Sequence, residues 1–145
     1  MSITLHLGVI EKPYDNKGAP TTTGQVASWL ENEYHVMQIF TEIHREQIEN
    51  HIAESLAGAL ETLLSGNSVS LPDVFDSMGT AKNEIAAEFH GFLEKEEMNG
   101  RPGIPTKAAL DGINHRFKNP VTGIRRPSFI DTGLYVNSFA VEITR

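Results

Sequence analysis

Six histidines, 19 Asp and Glu residues and no cysteine define what chemistry the side chains of this 145-residue sequence offer. His44 and His51 are the best-spaced pair for a shared metal ion, because seven residues bring two side chains back to one helix face. Seven residues also span two turns, about 10.8 Å of axis, too far for two imidazoles to hold one ion at about 2 Å. Both therefore read as polar-flank histidines, with no metal site. Glu42, Glu46, Glu49 and Glu54 occupy the same stretch, where charges ordinarily form the wet face of an amphipathic helix. Glu94, Glu96 and Glu97 read as a solvated helix end, mildly unfavourable against the helix dipole and open to a partner's arginines.

Acid, base and nucleophile do not fall at supportive spacing, so a hydrolase built on Glu and His is disfavoured. The sequence has no Walker-type glycine loop, dinucleotide turn or serine elbow. The reading is a non-enzyme with no cofactor. Without cysteine, disulfides and thiolate chemistry are excluded, which fits synthesis in a reducing cytoplasm. Met1-Ser-Ile-Thr-Leu-His lacks the pattern of a signal peptide. No stretch nears the roughly 20 apolar residues of a membrane span, so the expectation is a soluble protein.

The formal charge of −7 hides an asymmetry. Residues 1–100 carry 5 Lys or Arg against 16 Asp or Glu (net −11), and residues 101–145 carry 7 against 3 (net +4). The contrast either neutralises the fold from within or joins the tail of one copy to the helices of the next. Arg116, Lys118, Arg125 and Arg126 make a basic stretch. With Phe117 its only interleaved aromatic and an acidic chain around it, nucleic-acid binding is weakly signalled. Protein partners fit better.

The elements that must position these groups follow from periodicity. Ile3, Leu5, Leu7 and Val9 alternate with polar or small neighbours over residues 2–10, as in a half-buried strand. A loop follows to residue 20. The hydroxyls of Thr21 to Thr23 suit a helix N-cap. From there Val26, Trp29, Leu30, Met37, Phe40, Ile43, Ile48, Ile52, Leu56, Leu60 and Leu63 recur at helical spacing to about Ser65. A continuous helix of that length would span roughly 60 Å, so it is either projecting or broken, with Thr41 to Asn50 the candidate break. A second helix is expected from Ser70 to Asn99, with Val74, Phe75, Met78, Ala81, Ile85, Phe89, Phe92 and Leu93 as its stripe. Thr106 to Ile113 suits a short helix. Ser138 to Arg145 alternates as a closing strand that could pair with the first. The fold expectation is α+β: one domain, residues 1–145, with strand and loop (1–20), a long antiparallel helical hairpin (21–100), then a basic loop, turn motif and closing strand (101–145), the two strands forming a small sheet.

The segment Arg125-Arg126-Pro127-Ser128-Phe129-Ile130-Asp131-Thr132-Gly133-Leu134-Tyr135-Val136-Asn137-Ser138-Phe139 resembles the C-terminal signature of tailed-bacteriophage neck and tail-completion proteins. These carry a hydrophobic-Asp-Thr-Gly-Leu stretch, then a serine and a strand. Ile104-Pro105-Thr106 to Arg116 looks like that family's approach to the motif, so about 40 residues are covered. Independently of the family, Asp131 can accept from nearby backbone amides, Gly133 relaxes the turn, and Leu134 and Phe139 can anchor it.

The resemblance implies a structural virion protein, assembled in the host cytoplasm. It would form a homo-oligomeric ring at the neck or tail end that joins head and tail, with other neck or tail proteins as neighbours and DNA only passing through. The expected interface residues are Arg116, Lys118, Arg125, Arg126, Glu94, Glu96 and Glu97, with the arginines bridging a neighbour's carboxylates. Pro127, Asp131, Thr132, Gly133, Leu134 and Ser138 form the turn motif. A baseplate or tail-tip component is the nearest variant, and a stand-alone helical module that captures a partner helix is the alternative from another class.

Overall fold

The computed structural model describes residues 2–14, 21–70, 73–74, 78–113 and 121–144. The chain runs β1 (Thr4–Val9), α1 (Thr23–Tyr34), α2 (Val36–Ile43), α3 (Arg45–Leu64), α4 (Gly79–Glu94), α5 (Lys107–Asp111), α6 (Leu134–Asn137) and β2 (Phe139–Thr144). It is a mixed helix-and-strand fold. The first and last strands pair antiparallel, from Thr4 opposite Thr144 to Val9 opposite Phe139, as the alternation at both ends predicts.

Thr22 caps α1: its hydroxyl accepts from the Gln25 N–H, and the Gln25 side chain accepts from the Thr22 N–H in return. The next residue ties helix to strand. Thr23, fully buried, donates its hydroxyl to the Ile10 carbonyl (2.7 Å) and accepts from the Lys12 N–H (2.9 Å). Ile10 N–H in turn donates to the Ser138 carbonyl (2.7 Å), which holds the strand end against the turn before β2.

The first half of the expected hairpin is not one continuous helix, because it is broken twice. His35 takes a left-handed conformation (φ 53°) that ends α1. The start of α2 is then capped by Glu31, whose carboxylate accepts from the N–H groups of Met37 (2.9 Å) and Gln38 (3.1 Å), negative charge at a positive helix end. His44 (φ −100°) separates α2 from α3, inside the stretch predicted as a break. The breaks redirect the stripe. Val36 and Phe40 become fully buried, whereas Trp29, Ile43, Leu60 and Leu63 remain exposed. The stripe of α4 is closer to expectation, with Met78, Ala81, Ile85, Phe89, Phe92 and Leu93 all buried; Phe75 lies outside the described residues. The helix itself is shorter than Ser70 to Asn99. Turns lead from Glu94 to Gly100, which has φ +93°.

The core gathers around Phe40, Phe89, Phe92 and Phe139. Phe89 stacks on Phe139 with centroids 3.9 Å apart and meets Phe40 edge-on at 5.2 Å. Such pairs add about 0.5–1.5 kcal/mol each beyond the area they bury.

Candidate functional site

A groove of about 530 Å³ lies between α1, α5 and the segment 126–135. The turn motif forms part of its wall: Asp131, Thr132, Gly133, Leu134 and Tyr135 all line it. Trp29 meets Tyr34 edge-on (5.7 Å) and Tyr34 packs on Phe129 (5.1 Å), so three aromatic rings run in series along the groove, from α1 to the segment 126–135. Trp29 remains 55% exposed. Phe129 sits at φ +69°, a strained backbone for a bulky residue, and such strain gathers where the surrounding structure fixes a functional conformation.

The motif is built as a turn and short helix before β2. Gly133 supplies φ +81° at the head of α6, a conformation that favours glycine. The Thr132 hydroxyl accepts from the Leu134 N–H (3.3 Å), and Asp131 stands 3.6 Å from Arg126 Nε. Ser138, fully buried, closes α6 with its N–H on the Leu134 and Tyr135 carbonyls. Pro127 precedes Ser128, whose buried hydroxyl accepts from the Thr106 N–H (3.0 Å) and so joins the motif to the start of α5.

Arg125 and Arg126 both have partners within the chain. Arg125 donates through one nitrogen to both oxygens of Glu96 (2.9 and 3.1 Å). Arg126 donates to the carbonyls of Ile130 and Ile113, both at 3.0 Å. The charge contrast between the two parts of the chain is thus partly used up in folding it. Glu94 is exposed at the end of α4. Arg116 and Lys118 lie outside the described residues.

Glu97, an exposed residue, reaches His44, and with it comes a site the sequence did not reveal. His44, 8% exposed, holds Glu97 at 2.7 Å through Nε2 and faces Glu88 at 3.3 Å through Nδ1. One side of α3 further on, His51 Nδ1 holds Glu84 at 2.8 Å while its Nε2 faces Glu88 at 3.7 Å. The two histidines therefore line a polar seam between α3 and α4, rather than a wet flank. The pairing of 44 with 97 and 51 with 84 shows that these two helices run antiparallel. The available signal was Glu84 and Glu88, one turn apart and so on one face of the facing helix.

Tyr135 closes the floor of the groove. It is buried, and its hydroxyl has no hydrogen-bond partner among the described residues. Burial first, then the charge of Glu31 and the neighbouring Tyr14, push its phenol well above the ordinary tyrosine range. A raised folded-state pKa gives stability that is complete below the unfolded value, about 10, and is lost as pH rises beyond it. Tyr135→Phe should therefore match or exceed the native melting temperature at neutral pH, since it removes an unpaired buried hydroxyl. Above pH about 10 its advantage should widen. Thermal melts of both proteins across that range test this, and parallel curves would contradict it.

Comparison with family models, curated proteins and solved structures finds no match. Among the described residues no helix is long and apolar enough to cross a membrane.

Proposed function

We propose that this chain is a structural protein of a tailed-phage virion, forming a ring at the neck or tail end that joins head and tail, and that its work is assembly rather than catalysis. The observation that carries the reading is the aromatic groove walled by the Asp131-Thr132-Gly133-Leu134 turn, the segment that resembles the neck and tail-completion signature. A groove with three aromatic rings in series along it is suited to receive apolar side chains from a neighbour.

Among the described residues, further apolar groups also stand uncovered. Leu60, Leu63 and Leu64 stand exposed at the end of α3, beside a smaller hollow lined by Leu56, Ala59, Val69 and Val74. Val121 and Ile124 are 80% and 91% exposed. Scattered exposed leucines are ordinary, but uncovered apolar groups in separate segments suit a heterologous contact, one face meeting a different face of the next copy until the ring closes. Because Arg125 and Arg126 are engaged in the chain itself, apolar burial at about 25 cal/mol per Å² would supply the interface. Exposed ion pairs would add about 0–1 kcal/mol each.

The test is a pair of surface variants, Leu64→Glu and Ile124→Glu, followed by light scattering across concentration. Both side chains are exposed, so melting temperatures should stay within a few degrees of native, while the assembled mass falls at matched concentration. Native assembly in both variants would rule out these faces as the contact. A protein that is monomeric in every form would favour the stand-alone module that receives a partner segment in its groove.

A further inference from the structure

We propose that the seam between α3 and α4 is a divalent-cation site of the zinc type, held by His51, Glu54 and Glu84. Ligand atoms from these three side chains lie within 4.8 Å of one another, close enough for one ion to draw them in at about 2.0–2.2 Å each. His51 and Glu54 are three residues apart on α3 and share a face, and Glu84 reaches across from α4, with its Oε2 2.8 Å from His51 Nδ1.

Two further observations point to a cation. The first is charge. Glu54, Glu84, Glu88 and Glu97 gather about two histidines, and among the described residues no Lys or Arg pairs with any of the four. The second is a ring nitrogen. His51 Nε2 is shut off from solvent without a hydrogen bond among the described residues, although it faces an oxygen of Glu88 at 3.7 Å. A cation that replaces the proton between His51 Nδ1 and Glu84 resolves this. His51 Nε2 then carries its proton toward Glu88, the carboxylate–histidine–metal arrangement that fixes an imidazole's tautomer. One imidazole with two carboxylates is a mixed N and O donor set, which suits zinc and its first-row neighbours better than calcium or magnesium. The site would fasten α3 to α4 without using the groove, and it stands whether or not the chain forms a ring.

The experiment is titration of chelator-treated full-length protein with Co(II), read by visible ligand-field absorption, and with Zn(II), read by the melting temperature. Saturation at one equivalent with a rise in melting temperature is expected, the rise growing with free metal as linkage requires. His51→Ala should abolish the Co(II) spectrum. Because that residue is half-buried, Glu54→Gln on the exposed side of α3 provides a second test, with affinity lowered at least about tenfold. No saturable binding below millimolar metal would overturn the proposal. So would binding unchanged in both variants, which would place the ion on other histidines.

Discussion

Phe89→Ala is expected to cost about 3–5 kcal/mol, the range for removing a large aromatic from a packed core. Phe89 is fully buried and is where four elements meet. It stacks on Phe139 of β2 at 3.9 Å, meets Phe40 of α2 at 5.2 Å and approaches Tyr135 of α6 at 6.2 Å, all from its own place on α4. Truncation leaves a void none of these rings can fill without leaving another contact. Against a total stability of roughly 5–15 kcal/mol, the loss is a large share of what holds the chain folded. Urea unfolding followed by circular dichroism would measure it. Phe89→Leu, which keeps most of the volume, should lose less than half as much. A loss near zero for the alanine variant would mean that the ring cluster is not the centre of the core.

Gly112→Ala is the second large effect, and its cause is backbone contact. Gly112 has φ +62°, and a Cβ there would meet the Ile124 carbonyl oxygen and lie 2.5 Å from the Gly123 carbonyl carbon. Neither is the flexible end of a side chain, so the strand of chain carrying them must lift away. That segment is held by Gly123 N–H on the Asp111 carbonyl and Arg126 N–H on the Ala109 carbonyl, each 3.0 Å. Left-handed strain of about 1–3 kcal/mol and overpacking of a similar size combine to an expected loss of about 2–5 kcal/mol. The consequence reaches beyond stability, because the segment also carries Ile124 and both arginines. Limited proteolysis should cut the variant within residues 121–126 much faster than the native chain. An unchanged cleavage pattern and melting temperature would show that the close approach does not exist in solution.

The parts of this fold that the sequence reveals are those written by local periodicity. The alternation of Leu5, Leu7 and Val9 against Phe139, Val141 and Ile143 gives both strands and their pairing, and the apolar spacing from Met78 to Leu93 gives the buried face of α4. Thr106 to Ile113 contains the short helix Lys107–Asp111. What stayed hidden depends on distant partners. His35 ends α1 with a left-handed residue that is not glycine, a conformation stabilised by Glu31 capping the next helix, and spacing alone does not announce it. The roles of Arg125 and Glu97 required knowing which carboxylate or imidazole the fold would bring near. The two-turn spacing of His44 and His51 argues against one shared ion, but it takes account of one helix only. The facing helix supplies Glu84 and Glu88, and with them the seam becomes a candidate site.

The motif itself was legible as a turn before a strand, with Gly133 at positive φ as its chemistry demands. Its position on the wall of a groove was not, because the groove exists only once Trp29 and Tyr34 on α1 and Phe129 are folded against one another.

The most direct test of the assembly reading is the mass of the native protein in solution, taken by mass photometry or native mass spectrometry across concentration. The account predicts a discrete closed species of six or more copies of the 16.0 kDa chain, in equilibrium with monomer and free of the open-ended series that a non-closing contact gives. A monomer at every concentration, unchanged by salt, would contradict it.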